Sequence, residues 1–213
     1  MKQEKVKDID GNEYKLIEIG NQVWMQENLK VEKFRNGENI DYIKNHSQWI
    51  KSGKDNKPAF AYYSNDKKNN IIYGNLYNWH VISDSRGIAP DGFHVPEMDE
   101  WYQLIDFLGG GEIAGINLKL QCWNDQYGNE VNDTKNKIDN SFLALPGGIR
   151  DYNDFSALGS LGVWWSASEN IVGGEYANNI GLYDSNKVRI LGPCGGEFGA
   201  LKECGLSIRC IRD

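Results

Sequence analysis

Three histidines and four cysteines hold most of the metal-binding and nucleophilic potential of this 213-residue chain. His46, His80 and His94 do not recur at metal-ligand spacing, and no HExxH or paired-histidine motif is present. Cys122, Cys194, Cys204 and Cys210 form no CxxC pair, so neither a structural zinc site nor a CxxC redox centre is expected. Ser166 and Ser168 lack the Gly-x-Ser-x-Gly elbow that exposes a nucleophile, and no base stands beside them in the sequence. The residues therefore assign no catalytic group, no metal and no cofactor. For the cysteines two states stay open: a bridge among the crowded Cys194, Cys204 and Cys210, or reduced thiols packed as small apolar side chains.

Oxygen-rich segments are the better candidates for recognition. Trp123-Asn124-Asp125 carries side-chain oxygens of the kind calcium accepts, but three residues cannot supply the 6 to 8 ligands that ion takes. It reads as a solvated loop. Asp151-Tyr152-Asn153-Asp154 is denser and falls between two expected core strands. Side chains capping their own backbone in a turn account for much of its composition. Recognition also concentrates on loops held by a rigid scaffold. Asp151, Tyr152, Asn153 and Asp154, with Tyr183 and Asp184 on a neighbouring hairpin, are the expected ligand-binding residues: the aromatic rings stack on a ligand face and the carboxylates and amides bond its hydroxyls.

These loops need a frame, and the composition describes one. The chain has 40% hydrophobic residues and 25% charged, with 24 glycines and 7 tryptophans. That is a globular profile of short strands, tight turns and large aromatic anchors. No run approaches the roughly 20 apolar residues of a bilayer-spanning helix. The 23 basic residues are scattered singly against 30 acidic ones, so no phosphate-neutralising surface forms and nucleic acid is not an expected partner. Met1-Lys2-Gln3-Glu4-Lys5 lacks the apolar stretch of a secretory signal, which fits either a cytoplasmic protein or a trimmed mature form.

Along the chain, Asp10-Gly11 and Gly20-Asn21 punctuate β-prone runs and predict a three-stranded meander ending at Trp24. Residues 35–70 read as a long polar loop with a short helix, anchored by Ser47-Gln48-Trp49-Ile50 and Ala59-Phe60-Ala61-Tyr62-Tyr63. Met98, Trp101, Leu104, Ile105 and Leu108 recur at helical spacing after Pro96, with Gly109 as the stop and a weaker helix over 113–120. Residues 122–140 look like a surface excursion. Strands are expected over 142–145, 162–168, 176–183, 187–191 and 207–211, with Asp184-Ser185-Asn186 as a hairpin turn. Trp164 and Trp165 are adjacent on a strand and so face opposite sides. Both read as core, as do Phe93 and Trp101. His94 reads as a buried, hydrogen-bonded structural histidine.

Five phrases in order carry a specific resemblance: Tyr73-Gly74-Asn75-Leu76-Tyr77-Asn78-Trp79; Ala89 to Pro96 followed by Glu100-Trp101; Leu145-Pro146-Gly147-Gly148-Ile149-Arg150; Gly162-Val163-Trp164-Trp165-Ser166-Ala167-Ser168-Glu169; and Ser207-Ile208-Arg209-Cys210-Ile211. Together with Asp10-Gly11-Asn12 and Trp24-Met25-Gln26-Glu27-Asn28-Leu29 they resemble the Fibrobacter succinogenes major paralogous domain over nearly the whole chain. The resemblance implies an α+β, C-type-lectin-like fold: one domain over 1–213, with an N-terminal meander (1–30), a polar excursion (31–72) and a C-type-lectin-like core (73–213). It implies a non-enzymatic binding or adhesion module, secreted or lipid-anchored outside the cytoplasm in bacteria such as Bacteroidetes, with a glycan or protein ligand. On this reading the export signal was lost by truncation or maturation.

One departure bears on the cysteines. The family commonly has Cys-Pro where this chain has Ala89-Pro90, so the closing-strand Cys210 pairs with Cys204 or Cys194 or stays reduced. Two rival readings follow from the same fold. One is a copper or thiol oxidase like the formylglycine-generating enzymes, whose cysteine pair would fall to Cys204 and Cys210, although Glu203 to Cys210 does not match that pair's surroundings. The other is a structural, fimbria-like surface component.

Overall fold

The computed structural model of the protein describes residues 3–119, 123–124, 130–131, 142–170, 174–183, 187–189 and 199–213. The opening segment alternates, and the alternation decides its pairing. Tyr14, Leu16 and Ile17 are buried while Glu13, Lys15 and Glu18 face water, as a half-buried strand requires. Strands Lys5–Lys7, Glu13–Ile19 and Gln22–Met25 form the expected antiparallel meander. Gly11 and Gly20 take φ of 82° and 63° at its turns, a region closed to most side chains.

The meander is part of a larger sheet. Trp24 pairs with Ile211 of the closing strand Ile211–Arg212, whose other edge pairs with Phe93–His94. The start and end of the chain therefore lie side by side, tied further by Met25 N–H to the Cys210 carbonyl (3.0 Å) and Leu29 N–H to the Ile208 carbonyl (2.8 Å). The expected strand over 207–211 is regular only at Ile211–Arg212. Upstream, Leu206 bridges to Tyr77 and Ser207 to Trp164, so this segment is surrounded by partners instead of lying in one ladder.

A second sheet pairs Gly162–Glu169 with Tyr176–Leu182, which also takes Val188–Arg189 and Ala200–Leu201. The turn expected at 184–186 lies outside the described residues. Trp164 and Trp165 are 1% and 0% exposed and enter different cores. Trp165 packs in the cluster that contains Tyr77, Trp79 and Ile208, and Trp164 in the one with Trp24, Trp101 and Phe142. Helix Met98–Phe107 covers the second core with Met98, Trp101, Leu104 and Ile105. Its N-terminus is closed by a capping box between Glu97 and Glu100, and Pro96 precedes the cap. The weaker helix is shorter than expected, Ala114–Leu118.

Three segments differ from their sequence reading. Within residues 31–72 the expected short helix forms as His46–Lys54, but a second helix, Lys67–Tyr73, also begins there, with two strands, Asp41–Tyr42 and Ala59–Ala61, of a small sheet completed by Leu76–Tyr77. Residues 142–145 form no strand, since Leu143 takes φ 52° and Ala144 makes a single bridge to Lys119. Trp123, read as part of a solvated loop, is 2% exposed and donates its indole N–H to the Ala144 carbonyl at 3.1 Å; Asp125 is outside the described residues.

The two cores meet at a buried polar junction. Arg209 is fully buried. Its Nε and Nη2 donate to Asn28 Oδ1 at 3.1 and 2.7 Å, and Nη1 donates to the Phe142 carbonyl. The same Asn28 oxygen accepts the Trp164 indole N–H at 2.8 Å, while Asn28 Nδ2 donates to the Tyr73 carbonyl (2.8 Å) and Ser207 Oγ (3.3 Å). Loss of solvent lowers the Arg209 guanidinium to about 9, which still leaves it charged at neutral pH. Removing one partner of a buried charge typically costs about 3 to 5 kcal/mol. Asn28→Ala is expected to lose that much stability in urea unfolding. Asn28→Asp keeps the acceptor and adds a countercharge but turns the Nδ2 donor into an oxygen facing the Tyr73 carbonyl, so it is expected to recover only part of the loss; equal stability of wild type and Asn28→Ala would contradict this assignment.

Candidate functional site

The Asp151–Asp154 segment is the tip of a hairpin. Strands Gly147–Asp151 and Asp154–Leu158 pair with Asp151 opposite Asp154, leaving Tyr152-Asn153 as the turn. The sequence reading placed a loop here but did not anticipate the two strands, because Gly147-Gly148 and the exposed Leu158 hide the pattern. Asp151 Oδ1 accepts the Asn153 N–H at 2.7 Å, the backbone-capping role expected of it. Tyr152 is 69% exposed at the apex.

What fixes the tip is Arg150, which sequence reading noted only as part of a phrase. Its side chain is completely buried. Nε donates to Asp154 Oδ1 at 2.9 Å, and Nη1 and Nη2 donate to the carbonyls of Ile43 and Lys44 at 2.6 and 2.8 Å. The guanidinium lies 4.7 Å from the Trp49 ring centroid and 4.5 Å from that of Phe155. An arginine so held fixes its partners' positions, since its planar fork permits only one arrangement of bonds. His46 completes the cluster. Its Nε2 donates to the Tyr152 carbonyl at 3.1 Å, and its buried Nδ1, without a hydrogen bond, stands 3.4 Å from Asp154 Oδ1.

Backbone strain gathers at the same place. Ser64, Asn65, Asp154 and Ala157 have φ between 53° and 71°, a region that costs non-glycine residues roughly 1 kcal/mol or more each. The first two lie in the turn Tyr63–Asn65 and the others in the hairpin, and the segments touch through the Tyr63 and Phe155 rings at 5.3 Å. Asn65 also keeps a buried Oδ1 with no hydrogen bond while its amide donates to the Lys44 carbonyl. Such strain collects where binding surfaces are pre-formed.

Tyr183 does not join this cluster. It follows Leu182, which pairs with Gly162; the neighbouring Leu161 carbonyl accepts the Gly148 N–H at the hairpin's base, away from the tip. Its own carbonyl accepts from Lys119 Nζ. Asp184 lies outside the described residues, as do Cys122 and Cys194.

The remaining chemistry-bearing groups are hydrogen-bonded or buried within the frame. Ser166 Oγ donates to the Pro96 carbonyl and accepts the Ser168 N–H, and Ser168 Oγ accepts the Met98 N–H. Cys204 and Cys210 are both buried and not bridged to each other, and burial pushes the Cys210 thiol up. Among the described residues no three His, Cys, Asp or Glu side chains gather in a metal-holding cluster. His94 is hydrogen-bonded as expected but only half-buried. Nδ1 meets Asp213 Oδ1 at 2.8 Å and Nε2 meets Glu100 Oε1 at 2.9 Å.

A family model described as the Fibrobacter succinogenes major domain matches residues 17–212. The chain belongs to this family. The match takes in the second sheet, helix Met98–Phe107 and the 151–154 tip, and enters the first sheet within strand Glu13–Ile19. Comparisons with curated proteins and with solved structures find no match.

For this family member, His94 supplies a pH test. Burial lowers the affinity of its ring for a proton, but hydrogen bonds to Asp213 and Glu100 outweigh burial and the net shift is upward. A raised folded-state value means that its stabilisation is complete below the ordinary histidine pKa near 6.5 and is lost as pH rises through the folded value. Thermal unfolding followed from pH 6 to 9 is expected to show this loss, and Glu100→Gln with Asp213→Asn to flatten it. An unchanged profile in that double variant would contradict the assignment.

Proposed function

We propose that the protein is a non-enzymatic binding or adhesion module that presents the 151–154 tip to a glycan or protein ligand. The observation that carries this reading is the exposed Tyr152 on a turn whose base is clamped by the wholly buried Arg150. An aromatic side chain with few rotatable bonds on a rigid tip provides contact area at low entropic cost. Asn153 and Asp154 beside it supply hydrogen-bonding groups suited to hydroxyls or to peptide amides.

The frame behind the tip is proposed to be C-type-lectin-like, a reading supported by chain ends that pair in one sheet and by core tryptophans on the strand Gly162–Glu169. An extracytoplasmic setting, secreted or lipid-anchored, follows from the family and is part of the same proposal. No helix among the described residues is long and apolar enough to cross a membrane. The copper or thiol oxidase alternative finds less support. Copper(I) and thiol chemistry need an accessible thiolate, whereas Cys210 is buried and its proton is held more tightly than usual.

A glycan array, with a parallel screen against immobilised surface proteins, tests the proposal. Binding is expected, and Tyr152→Ala with Asn153→Ala is expected to weaken it by at least roughly tenfold, about 1.4 kcal/mol, without altering thermal stability. The absence of any binder, or full binding by the double variant, would overturn it.

A further inference from the structure

A concave surface lies at the edge strand Phe93–His94. It is a cleft of about 390 Å³, within the size range of small-molecule sites. Ile82, Ile88, Val95 and Ala167 give it an apolar lining, and Arg35 and Glu97 are its exposed charged residues. His94 also lines it, but both ring nitrogens are already engaged by Glu100 and Asp213.

Arg35 is held in place before any ligand arrives. Its Nε and Nη2 donate to the Ala89 carbonyl at 3.1 and 3.0 Å, and Nη2 lies 3.3 Å from the Phe93 carbonyl. The hydrogen bonds of Arg35 use Nε and Nη2, so among the described residues Nη1 keeps its donors. Asp91 reaches Nε only at 3.5 Å and is 94% exposed, a contact of the weak surface kind. Glu97 spends part of its carboxylate on the helix cap, accepting the Glu100 N–H, and its other acceptor sites face solvent.

These charges restrict the occupant. A purely apolar molecule would strip water from the guanidinium and the carboxylate without replacing their hydrogen bonds, which is costly. A simple anion would meet Glu97 and a simple cation would meet Arg35. We infer that the cleft is a second ligand site, separate from the tip, for a small zwitterion with an apolar body: its carboxylate on Arg35, its ammonium on Glu97 and its side chain against Ile88, Val95 and Ala167. A free apolar amino acid and a short apolar peptide share this chemistry and differ in the separation of their charges.

Calorimetric titration of the full chain with leucine, di-leucine and tri-leucine, alongside N-acetyl-leucine and leucine amide, tests the inference. Saturable binding of at least one zwitterion is expected, and the favoured length identifies the amino acid or the peptide as the source. Blocking either charged end is expected to weaken binding by at least roughly tenfold. Glu97→Gln is expected to abolish the advantage of a free ammonium while keeping the helix, and Ala167→Met to fill the cleft and remove binding. Arg35 is left intact because it anchors the 87–93 loop. Tyr152→Ala is expected to leave leucine-series binding unchanged, which separates this site from the tip. No saturable binding across the series, or equal binding of the blocked ligands, would overturn the inference, and both readouts stand even if Ala167→Met fails to fold.

Discussion

Arg209 places a full positive charge where no water reaches, and its hydrogen bonds run to neutral oxygens, Asn28 Oδ1 and the Phe142 carbonyl. A charge in that position is tolerable only if its donors are matched and its faces are covered. The ring of Phe142 lies 4.1 Å from the guanidinium carbon and that of Trp164 lies 5.8 Å away, so π-electrons supply part of what water would have given. Asn28 cannot serve Arg209 unless the opening segment, the strand Gly162–Glu169 and the closing segment arrive together. The junction thereby makes segments distant in sequence depend on one another.

The phrases that carry the resemblance in the sequence are parts that build such junctions. Asn28 and Leu29 come from the opening phrase, Trp164 from the tryptophan strand and Arg209 from the closing one. Asn75 donates to the carbonyls of Lys30 and Val31, and Asn78 accepts the Ala59 N–H and donates to the Lys57 carbonyl. Arg150, which ends another phrase, clamps the tip from beneath. These are buried polar groups with specific partners, and they specify a frame. Tyr152 and Asn153, at the exposed apex, fall just outside the phrases. The buried polar groups hold the frame, and the exposed apex takes no part in those junctions.

Much of the frame was legible in the sequence because periodicity and turn chemistry act locally. The meander, helix Met98–Phe107 and the opposite burial of Trp164 and Trp165 all follow from spacing. The hairpin under the tip was hidden because Gly147-Gly148 interrupts any strand pattern, and the burial of Arg150 comes from tertiary bonds to the Ile43 and Lys44 carbonyls. Trp123 looked solvated amid polar neighbours, yet its indole reaches the core. At the candidate site the turn residues Asp151 to Asp154 could be picked out by type, whereas His46 and Asn65 join them only through tertiary contacts separated by a hundred residues or so. Tyr183 was grouped with the tip on the expectation of adjacent hairpins, and strand register sends it to the other end.

Buried polar pairing links the two ends of the chain and both cores. Native-state hydrogen exchange measures this most directly, through the amides of Met25 and Leu29, which bond to the closing segment, and that of Trp165, which bonds to the Ser207 carbonyl. All three are expected to exchange only through global unfolding, with one shared free energy and one shared denaturant dependence. Exchange of Met25 and Leu29 through a separate, lower-energy opening that leaves Trp165 protected would contradict it.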